Sequence, residues 1–429
     1  MRLRLLPTLA MSLALVPAAR AGSVDNRNNN SAEYIRDLSR NAATEGADVS
    51  IYNPAGTVKL QDGLSLSLSN QTVAKLNQQS FAPTATAQKI TYTSDIVSPI
   101  YPTAFAVYKK DDWAGFAAFS FPGGGGELEY KKGSATTFPL ETNLQVQKLN
   151  ADAYLRSVYY GFTLGGSYAP RPWFSASLAA RTLYARTDIT VDAGKDFPPA
   201  NTSKLIDHME EARGYSGVAS VDFFPGPDWI LAVRYEATVP LEWEVQRSEL
   251  NLDGVFKNDP GTRDAYIAQL RSVLRPYGTK FNRDLPAVLG LGAGYRILPV
   301  LRADLSMNVY FNSQANWDGI EDKHDDGYEF AAGLEYTSDR LPLKLSASAQ
   351  YTITGADQAS YQLENPALNS ISTGLGGRYG IGRNFGITLG WTGNFGLDDK
   401  ADLPPPLPPT ADVKKRALVY AVGFDYHAF

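Results

Sequence analysis

From residue 63 onward the chain repeats a pattern that few folds accommodate: apolar side chains at every second position over long stretches. Trp229, Leu231, Val233, Tyr235, Ala237, Val239, Leu241 and Trp243 keep one phase, while Arg234, Glu236, Thr238, Glu242 and Glu244 keep the other. Leu64, Leu66 and Leu68 alternate with Ser65, Ser67 and Ser69, and Leu343, Leu345, Ala347 and Ala349 with Lys344, Ser346 and Ser348. Successive side chains on a strand point to opposite faces, so each stretch has one apolar face and one polar or small face.

A soluble sandwich would alternate too, so length and connections must decide. Fourteen strands are expected at 63–72, 101–110, 113–122, 153–170, 172–188, 213–225, 228–247, 284–298, 300–313, 326–339, 341–355, 370–382, 384–397 and 416–428. Most reach the roughly 9 to 11 residues that cross a bilayer when tilted. Short turns (Asp111-Asp112, Arg171, Gly226-Pro227, Pro299, Arg340, Arg383) alternate with long connections at 73–100, 123–152, 189–212, 248–283, 314–325, 356–369 and 398–415. An even strand count with tight turns on one rim and long loops on the other predicts an all-β fold, a transmembrane antiparallel β-barrel spanning 63–429. Greek-key crossings give a sandwich no reason to sort its loops this way. Closure follows because lipid cannot satisfy an open strand edge.

The N-terminus predicts export. Arg2 and Arg4 precede an apolar run from Leu5 to Val16, and Ala19-Arg20-Ala21 offers small residues where a signal peptidase reads, so 1–21 is expected to be a signal peptide. No later stretch has the roughly 18 to 20 consecutive apolar residues of a spanning helix. The chain has no cysteine, which removes disulfides, thiol nucleophiles and Cys-ligated metals. A formal net charge of −5 argues against nucleic acid as a partner. Leu418, Tyr420, Val422, Phe424 and Tyr426 alternate before Phe429, an aromatic end of the kind that barrel-assembly machinery reads, although Phe429 itself is out of phase.

Residues 22–62 lack the strand period and are rich in Asn, Ala and Asp, with a helix-like piece at Glu33–Arg40. They form either a tail or a plug in the lumen. The run from Arg40-Asn41-Ala42-Ala43 through Asp48-Val49-Ser50-Ile51-Tyr52-Asn53-Pro54-Ala55-Gly56 resembles the N-terminal hatch of FadL-type outer-membrane transporters, which carry long-chain fatty acids and, in relatives, aromatic hydrocarbons. Trp113–Tyr130 resembles that family's kinked third strand, and later strand–turn–strand units resemble its hairpins. The resemblance implies fourteen strands, a hatch marked by Asn53, Pro54 and Ala55, and passive passage of a hydrophobic compound. One departure is the polar Gly22–Asn30 stretch, where many members carry an apolar N-terminus.

Three residue sets are candidates for the transport chemistry. Phe121, Pro122, Gly123, Gly124, Gly125 and Gly126 should interrupt strand pairing, because proline lacks a ladder donor and glycine tolerates unusual angles. In the family, a kink here opens a lateral exit; read from the residues alone, the run equally starts a flexible loop. Leu205, Ile206 and Met209 in one long connection, and Tyr266, Ile267, Leu270, Val273 and Leu274 in another, are expected to capture apolar ligand or to cap the barrel, the second set having helical spacing. Arg156, Arg302, Lys344 and Arg378 are inward-phase cations for a ligand carboxylate or for interior ion pairs, as Arg302 beside Asp304 would form.

Enzyme readings find no support in the sequence. His208, His324 and His427 lack a HExxH or Gly-x-Ser-x-Gly context, so no catalytic residue, metal or cofactor is expected. His324 lies among Asp318, Glu321, Asp322, Asp325 and Asp326, a loop expected to face cation-bridged lipopolysaccharide, and Pro404–Pro409 is expected to be a stiff surface loop. The expectation is a monomeric barrel of a Gram-negative outer membrane, among lipid and lipopolysaccharide, passively importing hydrophobic compounds, foremost long-chain fatty acids. Aromatic hydrocarbon uptake is the alternative within that class; a general porin or structural barrel is the alternative outside it.

Overall fold

The computed structural model describes residues 31–84, 86–138, 151–192, 204–252, 260–271, 274–358, 361–403 and 408–428. The leader at 1–21, the Gly22–Asn30 stretch, Val273, the first four residues of the proline run and Phe429 lie outside them.

Seventeen strands form one antiparallel sheet. They are β1 (Gly63–Phe81), β2 (Ile90–Lys110), β3 (Trp113–Tyr130), β4 (Asp152–Arg171), β5 (Phe174–Asp192), β6 (Lys204–Phe223), β7 (Trp229–Glu236), β8 (Glu242–Leu250), β9 (Lys280–Asn282), β10 (Val288–Leu298), β11 (Leu301–Tyr310), β12 (Gly327–Thr337), β13 (Leu343–Ile353), β14 (Ser370–Ile381), β15 (Phe385–Gly396), β16 (Asp399–Asp402) and β17 (Thr410–Ala428). Because β1 pairs with both β2 and β17, the sheet closes on itself. Three staves come in two pieces: β7 and β8 both pair with β6, β9 and β10 pair with β8 and β7 in turn, and β15 and β16 both pair with β17. The ring therefore has fourteen staves.

The connections sort by length as the barrel pattern requires. At one end Asp111, at φ +52°, and Gly382, at φ +62°, sit in tight turns. The strand ends at Gly63 and Ala428 share that rim, opposite Lys109 and beside Leu64 respectively.

Several boundaries differ from expectation. β1, β2, β3, β5 and β6 run well past the predicted ends, so much of 73–100, 123–152 and 189–212 is ladder rather than loop. Part of these extensions is polar on both faces, as at Gln78-Gln79-Ser80 paired with Thr91-Tyr92-Thr93, and where apolar residues do occur, at Leu128 and Tyr130, Ile189 and Val191, and Leu205 and Ile206, they are buried inside rather than turned outward.

The predicted strand 228–247 is broken, and its apolar row changes sides. Trp229, Leu231 and Tyr235 face outward, exposed, while Val239, Leu241, Trp243 and Val245 are buried inside with Tyr159, Leu183, Phe281 and Leu285. The break at 237–241 contains Pro240, which lacks a ladder donor. A slip at an irregular segment moves every later side chain to the other face.

Candidate functional site

The first described segment, 31–60, lies within the ring. Helix α1 (Ala32–Arg36) touches β1, β13, β14, β15 and β17, α2 (Val49–Tyr52) touches β2 and β3, and a 3-10 helix at Pro54–Lys59 touches β2 to β6. An irregular segment buried there must find partners for its backbone groups, and inward hydroxyls of the wall supply them. Ala32 N donates to Ser69 Oγ (3.2 Å), Leu38 N to Ser348 Oγ (2.9 Å), Asn41 N to Ser306 Oγ (3.1 Å) and Ala55 N to Ser220 Oγ (2.8 Å). Ser346 Oγ and Thr392 Oγ1 donate to Arg36 O (3.0 Å) and Ile35 O (2.8 Å). The serines that alternate with leucines in the sequence are thus docking points. At Gly292, a Cβ would come within 2.5 Å of the Asn41 carbonyl carbon, so only glycine allows this approach.

The Asn53-Pro54-Ala55 triplet is the hinge of this docking. Asn53 Nδ2 donates to Ala43 O (3.0 Å) and Asp222 Oδ2 (2.8 Å), folding the segment back on itself while tying it to β6. Pro54 opens the 3-10 helix, where its missing N–H costs nothing, and Ser175 Oγ donates to Ala55 O (2.9 Å).

A charged network holds the other side. Arg36 bonds Glu33 and reaches Glu335 at 2.7 Å; Lys344 bonds Glu335 (2.9 Å) and Glu45. Arg302 bonds Asp304 (2.6 Å) and donates to Ala42 O (2.7 Å), and Arg378 bonds Asp425 (3.0 Å). Three of the four predicted cations, Arg302, Lys344 and Arg378, are therefore joined to carboxylates around the enclosed segment. The fourth, Arg156, lies on β4 with its Nε 3.4 Å from Glu127. Burial pushes the Glu33 carboxyl up, but Arg36 and then Arg40 bring it down to about 2. At Asp37 burial outweighs the Ser39 N–H that it accepts and the pull of Arg36 and Arg40, and raises it to about 6.

Between the segment and the wall remains a cavity of about 170 Å³. The stacked Tyr34 and Tyr52 rings (5.0 Å), Ile35 and Leu38 form one side. Facing them are Val73, Lys75 and Tyr101 of β1 and β2, and polar groups centred on Glu329, whose carboxylate accepts from Tyr310 (2.6 Å), Asn308 (3.0 Å) and Gln350 (3.2 Å). None of these residues stood out in the sequence, where each is one more inward polar or aromatic position.

The wall next to this cavity is not fully laddered. β2 and β3 pair only from Lys110 opposite Trp113 to Ala104 opposite Phe119, although β2 extends beyond that rung to Ile90 and β3 to Tyr130. Beyond that rung β3 leans on β4 alone and loses register twice, at Ser120/Gly123 and Gly123/Gly126. Gly124, Gly125 and Gly126 all have positive φ, and a Cβ on Gly124 would meet Ser157 O at 2.6 Å. The glycine run is thus a kink inside the wall, not the start of a loop. Pro99 and Pro102 remove donors on the β2 side. Side chains close the seam: Ser98 Oγ donates to Glu127 Oε2 (2.8 Å), Glu129 N donates to Ser94 Oγ (3.0 Å), and Tyr101 packs edge-on against Phe121 (5.6 Å). The Ser-Pro-Ile-Tyr-Pro run at 98–102 was the available signal for this half of the seam.

The two predicted capture sets come together, though not as expected. Leu205, Ile206 and Met209 belong to strand β6 rather than to a loop. Helix α3 (Pro260–Arg271) does form, and Leu270 and Leu274 are buried with Leu205 and Ile206 in one apolar cluster, with Ile267 packed against it. The same cluster takes in Tyr130, Tyr361, Leu363 and Leu403 from β3 and the long-connection end. Of this set's described side chains, Leu270 and Leu274 are covered and Ile267 packs against the same cluster. The Tyr266 side chain lies outside the described residues. Among the described residues no group of His, Asp and Glu side chains is arranged to hold a metal ion, the surroundings of His324 included.

Solved structures with the same architecture are known. A Pseudomonas aeruginosa FadL homologue is 14% identical, with a TM-score of 0.67 over 95% of this chain and 99% of that one. The Pseudomonas putida toluene transporter TodX is 13% identical, with a TM-score of 0.64 over 94% and 99%. The Ralstonia pickettii toluene transporter TbuX is 14% identical, with a TM-score of 0.62 over 95% and 100%. At these identities the likeness establishes a shared fold. No family profile matches the chain, and no curated protein matches it in sequence.

Proposed function

We propose that this chain is a passive outer-membrane transporter of hydrophobic compounds, with 1–21 as its export signal, 22–62 as hatch and 63–429 as barrel. The observation that carries the reading is the unladdered seam between β2 and β3 beside an enclosed cavity. In this reading cargo enters from the long-loop end, rests against Tyr34, Tyr52 and Tyr101, and leaves sideways past Phe121, Pro122 and Gly123–Gly126 into the bilayer. The outward rows support membrane embedding, since Leu68, Leu164 and Leu178 are 60%, 70% and 74% exposed, more apolar surface than a water-facing wall would leave open. The named activities of structures with the same fold, a FadL homologue and two toluene transporters, support the hydrophobic cargo.

The barrel acts as a monomer among lipid and lipopolysaccharide, delivered by the barrel-assembly machinery. Asn53, Pro54 and Ala55 keep the hatch in place. Leu205, Ile206, Ile267, Leu270 and Leu274 form an apolar threshold at the mouth, which must part for cargo to enter. Long-chain fatty acids are the first cargo to test. Of the four predicted cations, Arg156 best suits a carboxylate head, since its side chain is the most exposed of them, its ion pair to Glu127 is long at 3.4 Å, and it flanks the seam. A second reading, monoaromatic hydrocarbons, is favoured by the size of the cavity: about 170 Å³ is the scale of an engineered cavity of about 150 Å³ that binds benzene.

Proteoliposomes test the function directly. Palmitate or toluene should enter faster than in protein-free vesicles, without a large steady ion current. Large open-channel currents would instead favour a porin.

A further inference from the structure

Outside the wall, where the β2–β3 ladder ends, the barrel surface is hollowed. A trough of about 660 Å³ is lined almost wholly by apolar groups. One cross-strand row, Leu68–Ala104–Phe119–Phe162, forms its upper side, and the next row sets Ala106 and Ala117 between Leu66 and Leu164. Two alanines between two leucines make the depression. Its upper row includes the last ladder rung, Ala104 opposite Phe119.

A file of rings joins this trough to the lumen. Tyr101 lines the cavity and meets Phe121 at 5.6 Å; Phe121 meets Phe119 at 5.4 Å; Phe119 meets its register partner Phe162 at 5.0 Å. Tyr101, Phe121 and Val158 form a small buried cluster in the seam, with Phe119 packed against it. Cavity, seam and trough are consecutive along this file: β2–β3 rungs are missing at the seam and resume at Ala104–Phe119, where the trough begins.

We propose that the trough is a second binding site for the cargo, outside the barrel, where a compact apolar or aromatic molecule is received after passing the Tyr101–Phe121 pair. This rests on the transport reading above. The ligand class follows from the surface: the lining offers rings and aliphatic groups but almost no hydrogen-bonding partners, so binding is by apolar contact and ring packing. The trough gives a departing molecule apolar contact before it must disperse among acyl chains.

The experiment uses the full mature chain in proteoliposomes and a toluene-sized aryl diazirine, with labelled positions mapped by peptide mass spectrometry. Label is expected at Phe119 and Phe162 and should be displaced by excess toluene. The outward-facing double variant A106L/A117L, which fills the floor, should lower trough label about fivefold while label at Tyr101 and Tyr34 persists. Its folding is checked independently by heat-modifiable migration. A trough labelled only by a lipid carrying a photoreactive acyl chain, without displacement by toluene, would overturn the proposal, as would aryl label that the variant leaves unchanged. Transport with no trough label would overturn the second site and spare the transport reading. Displaceable trough label without any gain in solute entry would remove the transport reading and, with it, the trough's role as a cargo site, leaving an apolar binding surface only.

Discussion

Tyr101 and Phe121 meet edge to face at 5.6 Å across a length of wall in which their own strands share no rung. Where neighbouring staves are laddered, backbone pairing holds them together; here two rings and a few side-chain hydrogen bonds do. A backbone ladder opens only with loss of many coupled bonds, whereas rotating an aromatic side chain needs no change in topology. This contrast makes the seam the place to look for passage through the wall.

The kink should depend on its glycines. At Gly124, with φ +112°, a β-branched side chain is strained and also meets Ser157 O, at a cost of about 1–3 kcal/mol. Gly124→Val should still fold to a heat-modifiable barrel, because the strain is local, yet slow palmitate or toluene entry about fivefold or more. Gly115→Val on the same strand, where a Cβ meets nothing within 4 Å, should leave entry unchanged. Equal rates for both variants would take the kink out of the pathway.

Removing the Asn53 amide should loosen the hatch. Asn53→Ala breaks its bonds to Ala43 and Asp222 and leaves the buried Asp222 carboxylate short of a donor, a loss of about 1–3 kcal/mol. Planar-bilayer recordings should then show brief ion-conducting openings absent from the parent. A silent variant would mean that the triplet does not hold the segment.

Two enclosed carboxylates predict opposite responses to pH. Glu33, held near 2, stabilises the docked segment at neutral pH, and that contribution is lost as pH falls from its ordinary 4.5 toward 2. Asp37, raised from 3.8 to about 6, keeps its proton longer when docked, so docking is favoured below pH 4 and weakens as pH rises through 6. Asp37→Asn should abolish the second effect, worth about 3 kcal/mol at most, so hydrogen exchange across 31–60 should be slower in the variant at pH 7 and alike in both proteins at pH 4. Identical exchange at pH 7 would contradict an ionised, buried Asp37.

The mouth cluster should behave as a core. Leu270 is fully buried there, and Leu270→Ala should destabilise the packing of α3 by about 2–5 kcal/mol. Limited proteolysis should cut the 251–279 connection sooner in the variant, while the laddered staves stay protected. Unaltered cleavage would mean that α3 is held by something other than this cluster.

Much of the architecture could be read from the chain because its cause is periodic. Each outward row, such as Leu64-Leu66-Leu68, answers to one environment along its length, and fourteen staves follow. The reading failed where that cause ceases. At Gln78–Ser80 and Thr91–Thr93 both faces are polar, so long strand extensions passed for loops. At 237–241 the apolar residues keep their spacing while the backbone does not, so Trp243 moved from the expected outer row to the interior. Leu205 and Ile206 looked like loop residues because two adjacent apolar residues show no alternation, and they are buried in one cluster with Leu270 and Leu274, more than fifty positions away. The glycine kink was visible as a local composition; Tyr101 was not, because its meaning comes from Phe121 on the neighbouring stave. Arg302, Lys344 and Arg378 could be read from the chain only as cations on the polar phase, and it is the fold that brings Asp304, Glu45, Glu335 and Asp425 against them.

The central claim is that cargo crosses the wall between β2 and β3, and clamping that seam tests it most directly. The chain contains no cysteine, so Ser98→Cys with Glu127→Cys, replacing a pair now hydrogen-bonded at 2.8 Å, can be bridged by a short reducible dithiol-reactive linker. Toluene and palmitate entry should fall to the protein-free rate when the bridge is closed and recover when reductant opens it. Full-speed entry through the bridged barrel would contradict the account.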